Sequence, residues 1–210
     1  METAIGARRG TKLREHILWI AKDVFLEMGF ERASMDMVAG RAETSKRSLY
    51  AHFESKEKLF LAVIELVRGL FINRLKMPGD YSEKPTEALV MFCDRYLEIL
   101  LYEKSVQMCR LTMAEASRFP EGASQYFDVL FTQVHAFLST YLKTTFGLST
   151  RAGAEAAHRL LGQILYPQFP RALFGIDRLA ESIDEARVQD LDLKPIRKIV
   201  TDLIESLPKR

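Results

Sequence analysis

The sequence predicts an all-α fold of about nine helices. Apolar residues recur at three- and four-residue spacing over most of the chain, and no segment alternates as a strand does. Glycine and proline are few and clustered, which favours long helices over many short strands. Of the 210 residues, 48% are hydrophobic and 28% are charged, as in globular proteins with one large domain or two small ones.

The bulk composition excludes several classes of protein. The formal net charge is only +2, so any nucleic-acid site must be a local patch. Cys93 and Cys109 lie far apart and form no disulfide or metal pattern, which favours a reducing compartment. The sequence shows no membrane-spanning segment and no signal peptide. We therefore expect a cytoplasmic protein with no membrane partner.

Enzymatic chemistry has no support in the sequence. The four histidines fall on separate predicted helices, and no pair has the spacing of metal ligands. Neither a glycine-rich phosphate loop nor a nucleophile motif is present. We predict that the protein is not an enzyme and uses no cofactor and no metal.

Four helices are predicted in the N-terminal part. An apolar stripe over residues 11–28 stops at Gly29, a residue suited to a left-handed helix end. Ser34 then offers an N-cap for a short helix, Thr44 or Ser45 for another, and Ser55 for a longer one. The predicted bounds of these three helices are 35–41, 45–51 and 56–75.

Five further helices are predicted after a break at residues 77–80. Their bounds are 85–102, 105–118, 121–145, 149–174 with interruptions at Pro167 and Pro170, and 195–207. A polar segment over residues 177–192 precedes the last helix. We expect a first domain over residues 1–57, a connecting helix at about 56–75 and a second domain over residues 77–210.

The two short helices over residues 34–51 have the proportions of a helix-turn-helix. In such a unit the first residues of the second helix reach base edges in the major groove. No carboxylate stands among these residues, which are Thr44, Ser45, Lys46, Arg47 and Ser48, followed by Tyr50 and His52. The alternative is a surface helix hairpin with a solvated basic face, because such hairpins are common.

Residues 12–60 resemble the N-terminal domain of the TetR/AcrR family of bacterial transcriptional regulators. The most specific part is Leu49-Tyr50-x-His52-Phe53 followed by Ser55-Lys56-Glu57. The resemblance implies a transcriptional regulator that binds a near-palindromic site in double-stranded DNA as a homodimer. It further implies a repressor that a small, largely apolar effector releases from its operator.

The resemblance also implies roles for single residues. In the family, the positions of Lys46, Arg47, Tyr50 and Ala51 face bases, and those of Ser48, His52 and Lys56 hold phosphates. The chemistry agrees, because an arginine can pair with guanine through two hydrogen bonds. From helix geometry we add the amides near Ser34 and Met35 as a phosphate site. The basic residues Arg8, Arg9, Lys12 and Arg14 are either an arm along the duplex or a disordered tail.

Two residues depart from the expected pattern. Glu43 stands in the turn where many relatives have glycine, and a positive φ there would cost roughly 1 kcal/mol. Trp19 lies off the main stripe of the first helix, and we expect it to pack against the fourth helix or the second domain rather than a partner.

The second domain resembles the family only loosely. One piece, Arg110-Leu111 with Ala114-Glu115-Ala116 and Arg118-Phe119-Pro120, is similar to the sixth helix of the multidrug-efflux regulators. The family then implies a helical bundle with an internal pocket, dimerised through its eighth and ninth helices.

Flexible, aromatic and polar residues of this domain suit a pocket for an adaptable apolar ligand, although plain core is the alternative for each. The pocket residues that we predict are Phe92, Tyr96, Met108, Met113, Phe127, Phe131, His135, Gln163 and Tyr166. Broad apolar stripes on the last two predicted helices favour a dimer interface. Its predicted residues are Leu161, Ile164, Leu165, Ile196, Ile199, Val200 and Leu203.

Overall fold

Helices make up the structure, as the sequence predicts. The computed structural model describes residues 2–183 and 193–208, with side chains from residue 10 onward. The helices are α1 (Glu2–Arg32), α2 (Met35–Arg41), α3 (Lys46–His52), α4 (Lys56–Arg74), α5 (Pro85–Leu101), α6 (Glu103–Ala114), α7 (Pro120–Phe127), α8 (Gln133–Phe146), α9 (Thr150–Leu165), α10 (Gln168–Leu173) and α11 (Lys194–Ser206). A 3₁₀ turn covers Pro78–Asp80, and a π-helical turn over Asp128–Thr132 joins α7 to α8. The described residues contain no strand, only an isolated bridge between Tyr102 and Ala180.

Most predicted helix ends are confirmed. Gly29 has φ 72° and ψ 169°, so it kinks the chain inside the span of α1. Gly147 ends α8 in the left-handed conformation, and the Ser149 hydroxyl caps α9 by accepting from the Ala152 amide at 3.1 Å. The predicted helix over 149–174 is divided into α9 and α10, with Tyr166 and Pro167 between them. Of the predicted polar segment, residues 184–192 lie outside the described residues.

The chain divides into two compact units whose boundary differs from the predicted one. The N-terminal unit comprises residues 1–69 together with 111–126, and the C-terminal unit comprises 70–110 and 127–210. Helices α4 and α6 each contribute residues to both units. No helix in the described part of the chain is long and apolar enough to cross a membrane.

An aromatic cluster holds the N-terminal unit together. Phe30 and Phe60 each place their ring centroid 5.0 Å from that of Phe119, and Phe25 joins them 5.2 Å from Phe60. All four rings lie in the core of the unit. Because Phe119 directly precedes α7, this cluster explains why residues 111–126 group with the first seventy residues.

Helix α5 forms the centre of the C-terminal unit, with every residue from Phe92 to Leu100 buried. Helix α11 packs against α5 and α9, and its Ile196, Val200 and Leu203 are buried there. Arg197 of α11 forms a two-bond ion pair with Glu87 of α5. Ile196, Val200 and Leu203, which we predicted for a dimer interface, therefore lie in the core of the chain itself, while Ile199 is half-buried.

Candidate nucleic-acid interface

Short-range hydrogen bonds build the helix-turn-helix. The Ser34 hydroxyl accepts from the Met37 amide at 3.2 Å and caps α2, and the Ser45 hydroxyl accepts from the Ser48 amide at 3.1 Å and caps α3. Of the two candidates for the second cap, the structure therefore selects Ser45. Val38, Ala42, Leu49 and Phe53 are buried at the inward positions of the unit. These contacts fix the direction in which α3 presents its first turn.

The turn between α2 and α3 has the geometry of a Schellman motif. The Glu43 amide donates to Gly40 at 3.2 Å, and the Thr44 amide donates to Ala39 at 3.0 Å. This motif requires a left-handed residue, and Glu43 has φ 49°. The positive φ considered from the sequence is present, so the turn carries the conformational cost of a non-glycine residue.

The predicted base-reading residues share an exposed face of α3. Lys46, Arg47, Tyr50 and Ala51 are exposed, with 48% of Tyr50 accessible. Ser48 and His52, predicted to hold phosphates, are half-buried beside them. The helix thus presents two cations, a phenol and hydrogen-bond donors at its N-terminal end, which is the chemistry that reads bases and binds phosphates.

Lys46 is paired across the turn. Its ammonium lies 2.7 Å from the Asp36 carboxylate of α2, and both side chains are exposed. The hydrogen bond and the charge of Asp36 raise the pKa of Lys46. In this arrangement Asp36 orients Lys46, whereas no ion pair engages Arg47 among the residues that the structure describes.

Lys56 has a role that the sequence did not predict. Its ammonium donates to the carbonyls of Phe30 at 2.9 Å, Ala33 at 3.1 Å and Glu31 at 3.3 Å. It also lies 4.4 Å from the centroid of the Phe30 ring. An ammonium has three donors, and all three are used to close the C-terminal end of α1. The geometry favours this structural role over the predicted phosphate contact.

The other expectations for the N-terminal unit have mixed outcomes. Met35 is buried, so only its backbone amide can take part in DNA contacts, whereas Thr44 is half-buried like Ser48 and His52. The side chains of Arg8 and Arg9 lie outside the described residues, while the Arg14 guanidinium lies 5.0 Å from the Phe53 ring. Trp19 is 41% exposed, with the Lys22 ammonium 4.4 Å from its ring, so the expectation that it is packed is wrong.

The predicted pocket residues differ in how deeply they are buried. Phe92, Tyr96 and Met108 are buried in the core, where the Tyr96 hydroxyl donates to Leu130 at 2.9 Å. Met113, Phe127, Gln163 and Tyr166 are exposed. Helix periodicity identified apolar faces but could not show which of them turn inward, so this pocket set stays a prediction. Arg110 is bound to the Ala172 and Leu173 carbonyls and closes the end of α10.

Phe131 and His135 instead lie on an open groove between α8 and α9. His135 is satisfied by the Ala154 carbonyl at 3.0 Å, and its ring faces that of His158 with centroids 6.4 Å apart. The groove is mainly apolar, and its lining residues are Phe127, Phe131, Thr132, His135, His158, Leu161, Gly162 and Leu165. Two predicted dimer residues, Leu161 and Leu165, therefore line this surface, while Ile164 is buried beneath it.

Sequence reasoning missed three features of the structure: the pairing of Asp36 with Lys46, the cap formed by Lys56, and a buried carboxylate at Asp94. The first had a signal, because Asp36 stands in the first turn of the helix next to the recognition helix. The second had none, since the carbonyls that Lys56 binds lie 23 to 26 residues away. Asp94 falls on the apolar face of α5, and a charged residue at such a position is a signal that the sequence contains.

Two family models match the chain. Residues 17–63 match the model of bacterial regulatory proteins of the tetR family. Residues 87–191 match the model of the C-terminal domain of AefR-like transcriptional repressors. The first covers the helix-turn-helix described above, and the second covers half of the chain.

Curated relatives match over part of their length. The chain is 45% identical over 99 residues to the HTH-type transcriptional activator FasR of Mycolicibacterium smegmatis, covering 42% of this chain and 45% of that protein. It is 33% identical over 94 residues to the HTH-type transcriptional repressor NicS of Pseudomonas putida, covering 43% of this chain and 44% of that protein. These matches span less than half of each relative. The relatives include both an activator and a repressor.

Solved structures show the same fold over almost the whole chain. A TetR-family regulator from Mesorhizobium loti superposes with a TM-score of 0.75 at 23% identity, over 94% of this chain and 97% of that one. The flavonoid-responsive regulator FrrA superposes with a TM-score of 0.69 at 25% identity, over 93% and 94%. The chain belongs to the TetR/AcrR family and is a transcriptional regulator with a helix-turn-helix DNA-binding domain.

Proposed function

We propose that the chain is a cytoplasmic, homodimeric repressor that binds a near-palindromic operator and is released by a small, largely apolar effector. The observation that carries the DNA-reading part is the exposed face of α3, where Lys46, Arg47 and Tyr50 stand on a capped and packed helix. Repression is favoured over activation because the matched C-terminal model is that of AefR-like repressors.

Base readout requires two copies of α3 at a fixed spacing. In a symmetric dimer, helix-turn-helix units contact half-sites about 34–36 Å apart, or a multiple of that distance. Selection from a random DNA pool tests this directly, and we expect enrichment of one symmetric motif. If the enriched sequences show no symmetric motif, the DNA-reading proposal is wrong.

The groove between α8 and α9 supports the homodimer. It exposes apolar side chains on two neighbouring helices, and a two-fold axis lets one such surface cover its own copy. Phe127 next to it is 58% exposed, and Tyr166 at the end of α9 is 73% exposed. Exposed rings of this size beside an apolar groove are typical of a surface that a partner covers.

Gly162 offers a clean test of this interface. It is exposed in the groove, and a Cβ added there meets no atom within 4 Å. Gly162→Arg should therefore leave the protomer folded, since arginine has the higher helix propensity, but place a charge in the dimer contact. We expect monomers by light scattering and a loss of operator affinity. Gly162→Ala is the control and should remain dimeric, while a dimeric arginine variant contradicts the proposed interface.

Effector release requires a link between the C-terminal unit and the recognition helix. We place the effector within residues 77–175. Helices α4 and α6 contribute residues to both units, so a ligand that shifts either helix changes the spacing of the two α3 helices. FrrA, whose fold matches, is a flavonoid-responsive regulator, which supports a small-molecule effector here. By linkage, operator DNA must weaken effector binding by the same factor, about 5- to 150-fold.

A further inference from the structure

Helix α5 buries a carboxylate that has no hydrogen-bond partner in the part of the chain that the structure describes. Asp94 has no exposed surface, and neither of its carboxylate oxygens has a hydrogen-bond partner among the described residues. Glu98 lies one turn further along α5 and is 3% exposed. Its Oε2 accepts from Arg95 at 2.6 Å, while its Oε1 has no partner in the same part of the chain. Three carboxylate oxygens on one face of α5 therefore lack donors.

The buried charges around Asp94 do not balance among the residues that the structure describes. Asp94, Arg95 and Glu98 are the buried charged residues among those described in the C-terminal unit. Arg95 already binds Glu98 and also donates to the Arg74 carbonyl at 3.3 Å. With both carboxylates ionised, the three residues carry one net negative charge. A positive charge placed beside Asp94 would neutralise it.

Asp94 opposes the stability of the fold. A buried charge without hydrogen bonds costs more free energy than burial of an apolar side chain of similar size. Burial and the neighbouring Glu98 raise the pKa of Asp94 to about 6, so the group is still mainly ionised at pH 7.5. A group that destabilises the free protein is expected where it serves a ligand.

We propose that Asp94, together with Oε1 of Glu98, forms the polar end of the effector site, and that the effector is an apolar molecule carrying a protonated amine. The ammonium supplies the charge and the N–H donors that the three oxygens lack. Residues one turn to either side of Asp94 on α5, Val90, Met91 and Leu97, offer apolar contacts for its body. This inference rests on the proposed effector-controlled function and names the chemical class of the effector.

Three probes that share one apolar body test the chemical class of the effector. They are 4-phenylbutylamine, 4-phenylbutanol and 4-phenylbutyrate, which carry a cationic, a neutral and an anionic head at pH 7.5. We expect the full-length protein to bind the amine at least tenfold more tightly than the alcohol in calorimetry, and the carboxylate most weakly. Equal binding of amine and alcohol, or no binding of the amine at millimolar concentration, would overturn the inference.

Two variants test whether Asp94 causes the preference for the amine over the alcohol. Asp94→Asn should remove the preference for the amine but keep the affinity for the alcohol, whereas Glu83→Gln, at an exposed residue, should keep both. An asparagine variant that retains the preference overturns the inference. An asparagine variant that is less stable than the wild type also overturns the inference, because Asp94 then has a structural partner. Enrichment of a symmetric DNA motif does not depend on Asp94, so the proposed function can stand when this inference fails.

Discussion

Polar side chains have different roles in the two units of the chain. In the helix-turn-helix, Ser34, Ser45 and Ser55 each cap a helix within three residues of their own position. In the C-terminal unit, buried charges gather on α5, and Asp94 lacks a partner among the described residues. Local hydrogen bonds fix the caps of the helix-turn-helix, while the C-terminal unit buries a carboxylate that no hydrogen bond among the described residues stabilises. The difference suggests that DNA docking needs a fixed shape and effector recognition needs unsatisfied groups.

The largest effect that this comparison predicts concerns Asp94. Its pKa is about 6 in the folded chain and about 3.9 in an unfolded one, so folding favours the protonated form. The stability from this proton is present below pH 4 and is lost as pH rises through 6. At pH 7.5 the ionised group should cost on the order of 3 kcal/mol, with Glu98 increasing and Arg95 decreasing that cost.

Asp94→Asn should therefore be more stable than the wild type at pH 7.5, with the difference shrinking as pH falls towards 4. Urea unfolding at a series of pH values measures this difference. Glu83→Gln, at an exposed carboxylate, should show little pH-dependent difference. A difference of opposite sign would mean that Asp94 is satisfied in the fold, and the contrast between the units would then disappear.

Lys56 tests the comparison of the two units from the side of the N-terminal unit. Lys56→Met removes three hydrogen bonds that close α1, so we expect the free energy of unfolding to fall by about 2 kcal/mol. The salt dependence of DNA binding should stay unchanged, because no phosphate contact is lost. Lys58→Met, at an exposed neighbour, controls for charge. A salt slope reduced by about 1 would restore the phosphate role that the sequence suggested.

A smaller effect on stability is expected at Glu43, in the turn between α2 and α3. Glu43→Gly places the residue best suited to φ 49° and should stabilise the chain by about 1 kcal/mol. Glu43→Ala removes the carboxylate but keeps the strained backbone, so its stability should match the wild type. Thermal unfolding separates the two variants. Equal stabilisation by both would assign the cost to the charge of Glu43 rather than to its backbone.

What the sequence could predict follows the range of the interactions. The helix caps depend on residues within one turn, and they were predicted. Gly29 was predicted as a left-handed helix end and is found as a kink inside α1, and Glu43 has the positive φ that the sequence analysis considered. The packing of Phe119 in the N-terminal unit depends on contacts roughly sixty to ninety residues away along the chain, and it was not predicted.

The apolar stripe of α11 illustrates the same limit. Periodicity identified Ile196, Val200 and Leu203 as one face, but it could not show that α5 and α9 cover that face. The predicted pocket residues show the same limit, since Tyr96 and Tyr166 fit one pattern and yet have opposite exposure. Patterns identify the apolar face of a helix, and only the packed chain shows what covers it.

The most direct test of the account is the base preference of Arg47→Ala. Once an operator is selected, fluorescence anisotropy can measure the affinity of wild type and variant for every single-base change in a half-site. The exposed position of Arg47 on α3 predicts a loss of about 1–3 kcal/mol and relaxed preference at one base pair per half-site. If Arg47→Ala keeps the wild-type preference at every base pair, this face of α3 does not read the DNA as proposed.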